Sequence, residues 1–211
     1  MSDGQFVNRR LHSLLGIIPI GLFLIEHLVS NYSATGGPEK FNQTVSFIQS
    51  LPFLVFLEIF LIFIPILFHG IYGVYIAFQA KHNVNQYGYF RNVMFLLQRV
   101  TGLITLVYIG WHVWETRIQS AFFGAEVNFD MMKNILSNPW MVAFYVVGIL
   151  SATFHFSNGI WSFLVSWGIT VGPRAQRVST YVSMAIFVIL SIIGLMALFA
   201  FVNPVSGTAL N

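Results

Sequence analysis

There is no cysteine in this chain of 211 residues. Disulfides, thiolate metal sites and ligation of iron–sulfur clusters by its own side chains are excluded. Charge is almost as scarce: 8% of residues are Asp, Glu, Lys or Arg, against about 25% in an ordinary soluble domain. A chain this poor in charge and 56% hydrophobic cannot cover its own surface in water. The sequence also offers no flavin or nicotinamide motif, so any such chemistry belongs to another polypeptide. The formal charge of +3 is small and lies in short loops, which speaks for membrane topology signals and against a nucleic-acid partner.

What the chain has in quantity is long apolar runs. A helical crossing takes roughly 20 apolar residues, and five fit, at about 12–31, 53–78, 94–116, 139–168 and 179–202. The composition predicts an all-α integral membrane protein, a single transmembrane domain over residues 1–211 whose solvent is the lipid bilayer. The first run is too long for a signal peptide, carries Glu26-His27 and is followed by no small-residue cleavage site, so it is expected as a retained span with a proline, Pro19, in its first half. Residues 31–42 and 117–138 are expected as polar loops. Arg9, Arg10, Lys81, Arg91, Arg174 and Arg177 fall on one side, with Arg99 close by, whereas Lys40, Arg117 and Lys133 on the other are balanced by Glu39, Glu126 and Asp130. The positive-inside rule then predicts a cytoplasmic N-terminus and an outside C-terminus.

Four of these spans each carry one histidine: His27, His69, His112 and His155, at intervals of 42, 43 and 43 residues. An ionisable group inside a membrane segment is a functional candidate by default. In antiparallel helices the spacing fixes depth. His27 and His112 lie about five residues before the outer ends of upward spans, roughly 7 Å below that boundary at 1.5 Å per residue. His69 and His155, on downward spans, fall roughly 15 Å from the inner ends. His27 is thus expected to face His112, and His69 to face His155, with roughly 10–20 Å between the levels once tilt is allowed for. Two imidazoles meeting from facing helices suit a bis-histidine haem, whose iron takes axial ligands from opposite sides of the ring. Without cysteine, such a haem is held non-covalently and is b-type. The competing reading is a proton relay or a set of interhelical hydrogen bonds. Zinc fits poorly, because neither pair is accompanied by the third and fourth ligands that it takes. Gly73 and Gly159, at i+4 from His69 and His155, are expected to leave room for a flat macrocycle.

Other polar groups complete the picture. Arg99, near the inner end of the third span, is a candidate partner for a haem propionate, against simple snorkelling to the interface. Glu26 and Glu115 near the outer surface are candidates for proton transfer at an outer site, against a merely interfacial placement. Their neighbour Trp111 is one of five tryptophans placed mostly at span ends, where that residue anchors to headgroups. His12 is expected at the inner interface, and His82, in a loop, in solvent. Two haems at two depths make an electron conductor, whose donor or acceptor is another subunit or a diffusible carrier such as a quinone.

These residues resemble a known family. Asn8-Arg9-Arg10-Leu11-His12-Ser13 at the start, and one histidine in each of the first four spans, are similar over essentially the whole chain to the cytochrome b558 membrane anchors of succinate:menaquinone oxidoreductases, the single-chain, five-helix, two-haem class of Gram-positive bacteria. The resemblance implies that His27 and His112 hold one haem b and His69 and His155 the other. It implies a flavoprotein (FAD) subunit and an iron–sulfur subunit on the cytoplasmic face of the bacterial cell membrane. Electrons from succinate would pass to the inner haem, then the outer haem, then menaquinone in an outer pocket near Glu26, Trp111 and Glu115. The alternatives are a fumarate reductase anchor working in reverse, a free-standing transmembrane cytochrome b, and a haem-free transporter.

Overall fold

The computed structural model describes residues 3–81 and 83–204; His82 lies outside them. Within the described residues all regular structure is helical, as hydrocarbon demands of any crossing segment that must satisfy its backbone internally. Five helical stretches are long and apolar enough to span a bilayer.

The first is two helices in series, α1 (Asp3–Ile17) and α2 (Ile20–Tyr32). Pro19 separates them: it brings no N–H and its ring crowds the preceding turn. Ile18 N still bonds Leu14 O at 2.7 Å and Phe23 N bonds Pro19 O at 2.9 Å, so the chain turns helical again at once. The second span, α4, covers Leu54–Gln79. It contains a π-helical turn at Glu58–Phe63 just ahead of Pro65, where the proline's missing donor disrupts the regular ladder. The third, α5, covers Phe90–Phe123 and has its own π-helical turn at Trp114–Ile118. The fourth and fifth are α7 (Pro139–Ser166) and α8 (Pro173–Val202). Both begin with proline at the first turn, where the lost N–H would be unpaired in any case. Asn138 caps α7 by accepting from Trp140 N at 2.9 Å.

The first, third and fifth spans are longer than the hydropathy pattern predicts, the first beginning nine residues earlier, whereas the second matches and the fourth ends two residues sooner; two expected loops are partly helical. Residues Pro38–Gln49 form α3 and Phe129–Ile135 form α6. They close one end of the bundle. Phe41 of α3, Phe129 of α6 and Phe201 of α8 pack as an aromatic trio with ring centres 4.9–6.1 Å apart. Asn42 Oδ1 accepts from Phe129 N at 2.8 Å and joins the two helices.

The most enclosed span is α7, followed by α8. Helix α7 packs against α8, α5 and α1, and α8 also packs against α2. Close approach is allowed by small residues, since lipid gives apolar helices no hydrophobic reason to associate. A Cβ on Gly21 would lie 2.2 Å from the Phe156 ring, and one on Gly194 would lie 2.8 Å from Ile149. Thr153 and Ser191 share a buried hydroxyl contact of 2.8 Å between α7 and α8. The outward surface is the converse, with Phe78, Ile71 and Val107 left bare as a lipid-facing side requires.

Candidate functional site

Along the middle of this bundle, the four span histidines meet in twos. His27 of α2 and His112 of α5 have ring centres 5.8 Å apart with planes inclined at 71°. His69 of α4 and His155 of α7 are 6.1 Å apart and inclined at 83°. An imidazole nitrogen lies roughly 2 Å from a metal that it binds, so two rings flanking one metal have centres about 6 Å apart. Both pairs have that spacing.

The vertical separation follows from what each ring touches. A Cβ on Gly16 would lie 2.5 Å from Cε1 of His69, and His27 is eleven residues further along the same span. A Cβ on Gly102 would lie 2.8 Å from Cε1 of His155, and His112 is ten residues further along α5. At about 1.5 Å per residue the two pairs are about 15 Å apart along the bundle axis. The His27/His112 pair lies toward the α3/α6 end and the His69/His155 pair toward the N-terminal end.

The pair nearer the N-terminal end is held by the backbone. His69 Nδ1 is 2.9 Å from the carbonyl oxygen of His12, and His155 Nδ1 is 2.9 Å from that of Gln98. A carbonyl only accepts, so each Nδ1 carries the proton and each Nε2 keeps its lone pair for a metal. Gln98 adds a side-chain brace, donating to the His155 carbonyl at 2.9 Å while accepting from Asn158 at 2.6 Å. The pair nearer the α3/α6 end is held by side chains. His112 Nδ1 is 3.2 Å from the hydroxyl of Tyr145, which itself lies 3.3 Å from Glu115 Oε2. Asn31 donates to the His27 carbonyl at 2.8 Å and approaches its Nε2 at 3.4 Å.

These residues fit haem b. Glycines face both rings of the His69/His155 pair where a side chain would displace them, the nitrogens opposite the hydrogen bonds are free, and cationic or neutral donors are present for propionates. Arg99 Nε and His12 Nε2 are buried and unbonded within the protein. Arg99 otherwise donates to Phe95 O at 2.6 Å, and its guanidinium lies 3.3 Å over the Phe95 ring.

Several residues are placed differently from the sequence expectation. His12 is more than an interfacial residue: its ring stacks on His69 at 4.0 Å with planes 7° apart. The stack covers a face of His69 and leaves the in-plane lone pair open. Gly73 and Gly159 do not face their histidines, because i+4 on a helix is offset from the ring's own direction. Gly73 faces His12 and Gly159 faces Gln98; the glycines that lie against the two histidine rings are Gly16 and Gly102, from neighbouring helices. Glu26 is exposed and bonded to Ser30 of its own helix, whereas Glu115 is half-buried against Tyr145. Trp111 lines an apolar groove of about 570 Å³ between α5 and α7, with Val107, Gly110, Trp114, Met141 and Phe144. Sequence reasoning missed Tyr145, Gln98, and an ion pair between Glu58 and Arg117 at 2.6 Å.

Comparison with known proteins agrees with this architecture. The family profile described as succinate dehydrogenase/fumarate reductase transmembrane subunit matches residues 88–194. The succinate dehydrogenase cytochrome b558 subunit of Bacillus subtilis is 64% identical over 198 residues, 94% of this chain and 98% of the relative. The succinate dehydrogenase hydrophobic membrane anchor subunit of Thermoplasma acidophilum is 34% identical over 98 residues, 46% of this chain and 76% of that protein. The five apolar helices and this kinship make the protein a multi-pass component of the bacterial cytoplasmic membrane. With half the chain matching the profile and a close relative covered almost end to end, the chain belongs to the succinate dehydrogenase/fumarate reductase transmembrane subunit family.

Proposed function

We propose that this chain is the di-haem membrane anchor of a succinate:menaquinone oxidoreductase, with His69/His155 holding an inner haem b and His27/His112 an outer one. The observation that carries the reading is the pair of facing imidazole couples, 6.1 and 5.8 Å between ring centres, at levels about 15 Å apart. When bound, the two haems supply one-electron carriage from the cytoplasmic face toward the outer leaflet. The chain's own residues hold and orient them: carbonyls of His12 and Gln98 fix the inner rings, and Arg99 and His12 offer donors to propionates.

The N-terminal end, rich in arginine and lysine, is the cytoplasmic side, and the α3/α6 end is the outer side. A flavoprotein and an iron–sulfur subunit dock on the cytoplasmic side in this reading, which is supported by both relatives being named as subunits of a succinate dehydrogenase. Menaquinone enters from lipid along the groove at Trp111, where an apolar wall suits its tail, and Glu115, one turn further, supplies protons. Glu26 is the second candidate donor at that level. Glu26→Gln and Glu115→Gln are each expected to lower quinone reduction about tenfold, the lower end of general acid–base contributions; full activity and inhibitor sensitivity in both would remove this placement.

Haem content tests the main reading. Each of His27→Ala, His112→Ala, His69→Ala and His155→Ala is expected to halve the haem per polypeptide and remove one of two b-type α-bands after dithionite reduction. Partners in a couple remove the same band. A colourless wild-type protein, or variants that pair differently, would overturn it. Fumarate reduction uses the same anchor in the opposite direction, and the names of both relatives favour succinate oxidation.

A further inference from the structure

Of the four rings, only His112 has its Nδ1 hydrogen-bonded to a side chain that leads on to an ionisable group. The hydroxyl of Tyr145, on α7, lies 3.2 Å from His112 Nδ1 and 3.3 Å from Glu115 Oε2, both on α5. Tyr145 is 2% exposed, so its hydroxyl has no water to choose instead. A carboxylate only accepts, so the phenol's single hydrogen goes to Glu115 and its lone pair accepts from His112 Nδ1–H. The order of donation is therefore fixed: His112 to Tyr145 to Glu115. The chain's position is built rather than incidental. Tyr108 packs edge-on to Tyr145 with ring centres 5.3 Å apart and lies alongside His112 at 5.9 Å. It fits there because residue 148 is glycine, where a Cβ would be 2.2 Å from the Tyr108 ring.

The inner rings lack any such arrangement. Their Nδ1–H groups donate to backbone carbonyls, which no side-chain change removes, and the Gln98 amide 3.2 Å from His155 Nδ1 leads to no ionisable group. His27 has only the distant Asn31 amide at its ring. An acceptor on Nδ1–H that is itself bonded to a carboxylate makes the imidazole a more basic ligand. A more basic axial ligand favours ferric over ferrous iron and lowers the reduction potential.

We propose that Tyr145 is a positioning residue that ties His112 to Glu115 and thereby holds the outer haem at a lower potential than the His27/His112 couple alone would set. This rests on His27 and His112 being axial ligands. The test is a potentiometric titration of the α-band absorbance of the purified complex at one pH. In Tyr145→Phe, which keeps the ring and removes the hydroxyl, one of the two b components is expected to become about tenfold easier to reduce, a positive shift of about 59 mV for one electron. The other component stays where it was. Glu115→Gln moves the same component in the same direction, by less. Tyr108→Phe, which removes a neighbouring hydroxyl outside the chain, leaves both unchanged. Both haems present with neither potential moved, both potentials moved together, or an equal shift in Tyr108→Phe would each overturn the proposal. If Tyr145→Phe fails to retain the outer haem, Glu115→Gln decides, and no shift in it counts against the proposal. A wild-type protein without two b components is a different failure, that of the haem assignment itself.

Discussion

A methyl group at Gly16 would lie 2.5 Å from His69 Cε1, and one at Gly102 would lie 2.8 Å from His155 Cε1. Both distances are well inside van der Waals contact, and both rings are pinned on the adjacent nitrogen, so neither can simply step aside. On the proposed di-haem reading, Gly16→Val and Gly102→Val are therefore expected to abolish the inner haem while the outer one is retained, since crowding of this kind costs about 1–3 kcal/mol even in a core that can relax. A pyridine haemochrome assay on the purified complex would show one haem in place of two. Loss of both haems, or of neither, would separate the inner site from these glycines. The four histidines themselves could be read from the sequence, because an ionisable group in an apolar run stands out and its depth follows from counting residues. The glycines could not, since i+4 arithmetic reaches only the histidine's own helix, and the groove that receives each ring is supplied by another one. Tyr145 and Gln98 were hidden for a related reason: neutral polar residues in a bundle interior look like packing until the tertiary structure shows what their hydroxyl and amide meet.

Between helices, the ion pair of Glu58 and Arg117 is the only salt bridge among the described residues, and it joins two irregular places. Glu58 opens the π-helical turn of α4, and Arg117 lies within that of α5. Arg117 Nε and Nη2 reach both carboxylate oxygens at 2.6–3.1 Å, a bidentate match. The side chains are 18% and 34% exposed, so solvent screens the pair in part, and its worth lies between that of a surface pair and that of a buried one. Glu58→Gln or Arg117→Gln is expected to cost about 1–2 kcal/mol, read as a lower midpoint in thermal unfolding of the detergent-solubilised complex. The double variant should lose less than the sum of the two, because each single change strands the other charge. Additive losses would mean that the two do not interact. The spans were legible because lipid permits little but apolar helix over that length. Helices α3 and α6 were not. They are short and mixed in composition, and they owe their stability to Phe41, Phe129 and Phe201 meeting across the chain, which no local pattern announces. The π-helical turns also left no hydropathy signal, although Pro65 marks where one of them ends.

Across the whole molecule, sequence charge and folded geometry describe the same axis. Arginines at the N-terminal end also tie helix ends together: Arg10 donates to Ser166 O at 2.5 Å between α1 and α7, and Arg91 bonds Thr180 and lies 3.6 Å over the Trp161 ring. Such contacts brace the helix ends on the basic side, while the aromatic trio closes the opposite end. If that basic end is cytoplasmic and the quinone is reduced near Trp111 at the other, each electron moves outward through the membrane. The cell interior is negative, so a negative charge moving outward is driven by the potential, by up to about 2.3 kcal/mol per electron for each 100 mV. Succinate oxidation in intact membranes or whole cells should therefore slow when an uncoupler dissipates the potential. The purified complex in detergent, which has no potential to lose, should be indifferent to the same uncoupler. Reduction of an artificial acceptor by the soluble subunits alone should also be indifferent, because that electron never enters the bundle. An uncoupler that leaves menaquinone-dependent oxidation untouched in sealed membranes would place the quinone on the cytoplasmic side, and with it the groove at Trp111 would lose its assigned substrate.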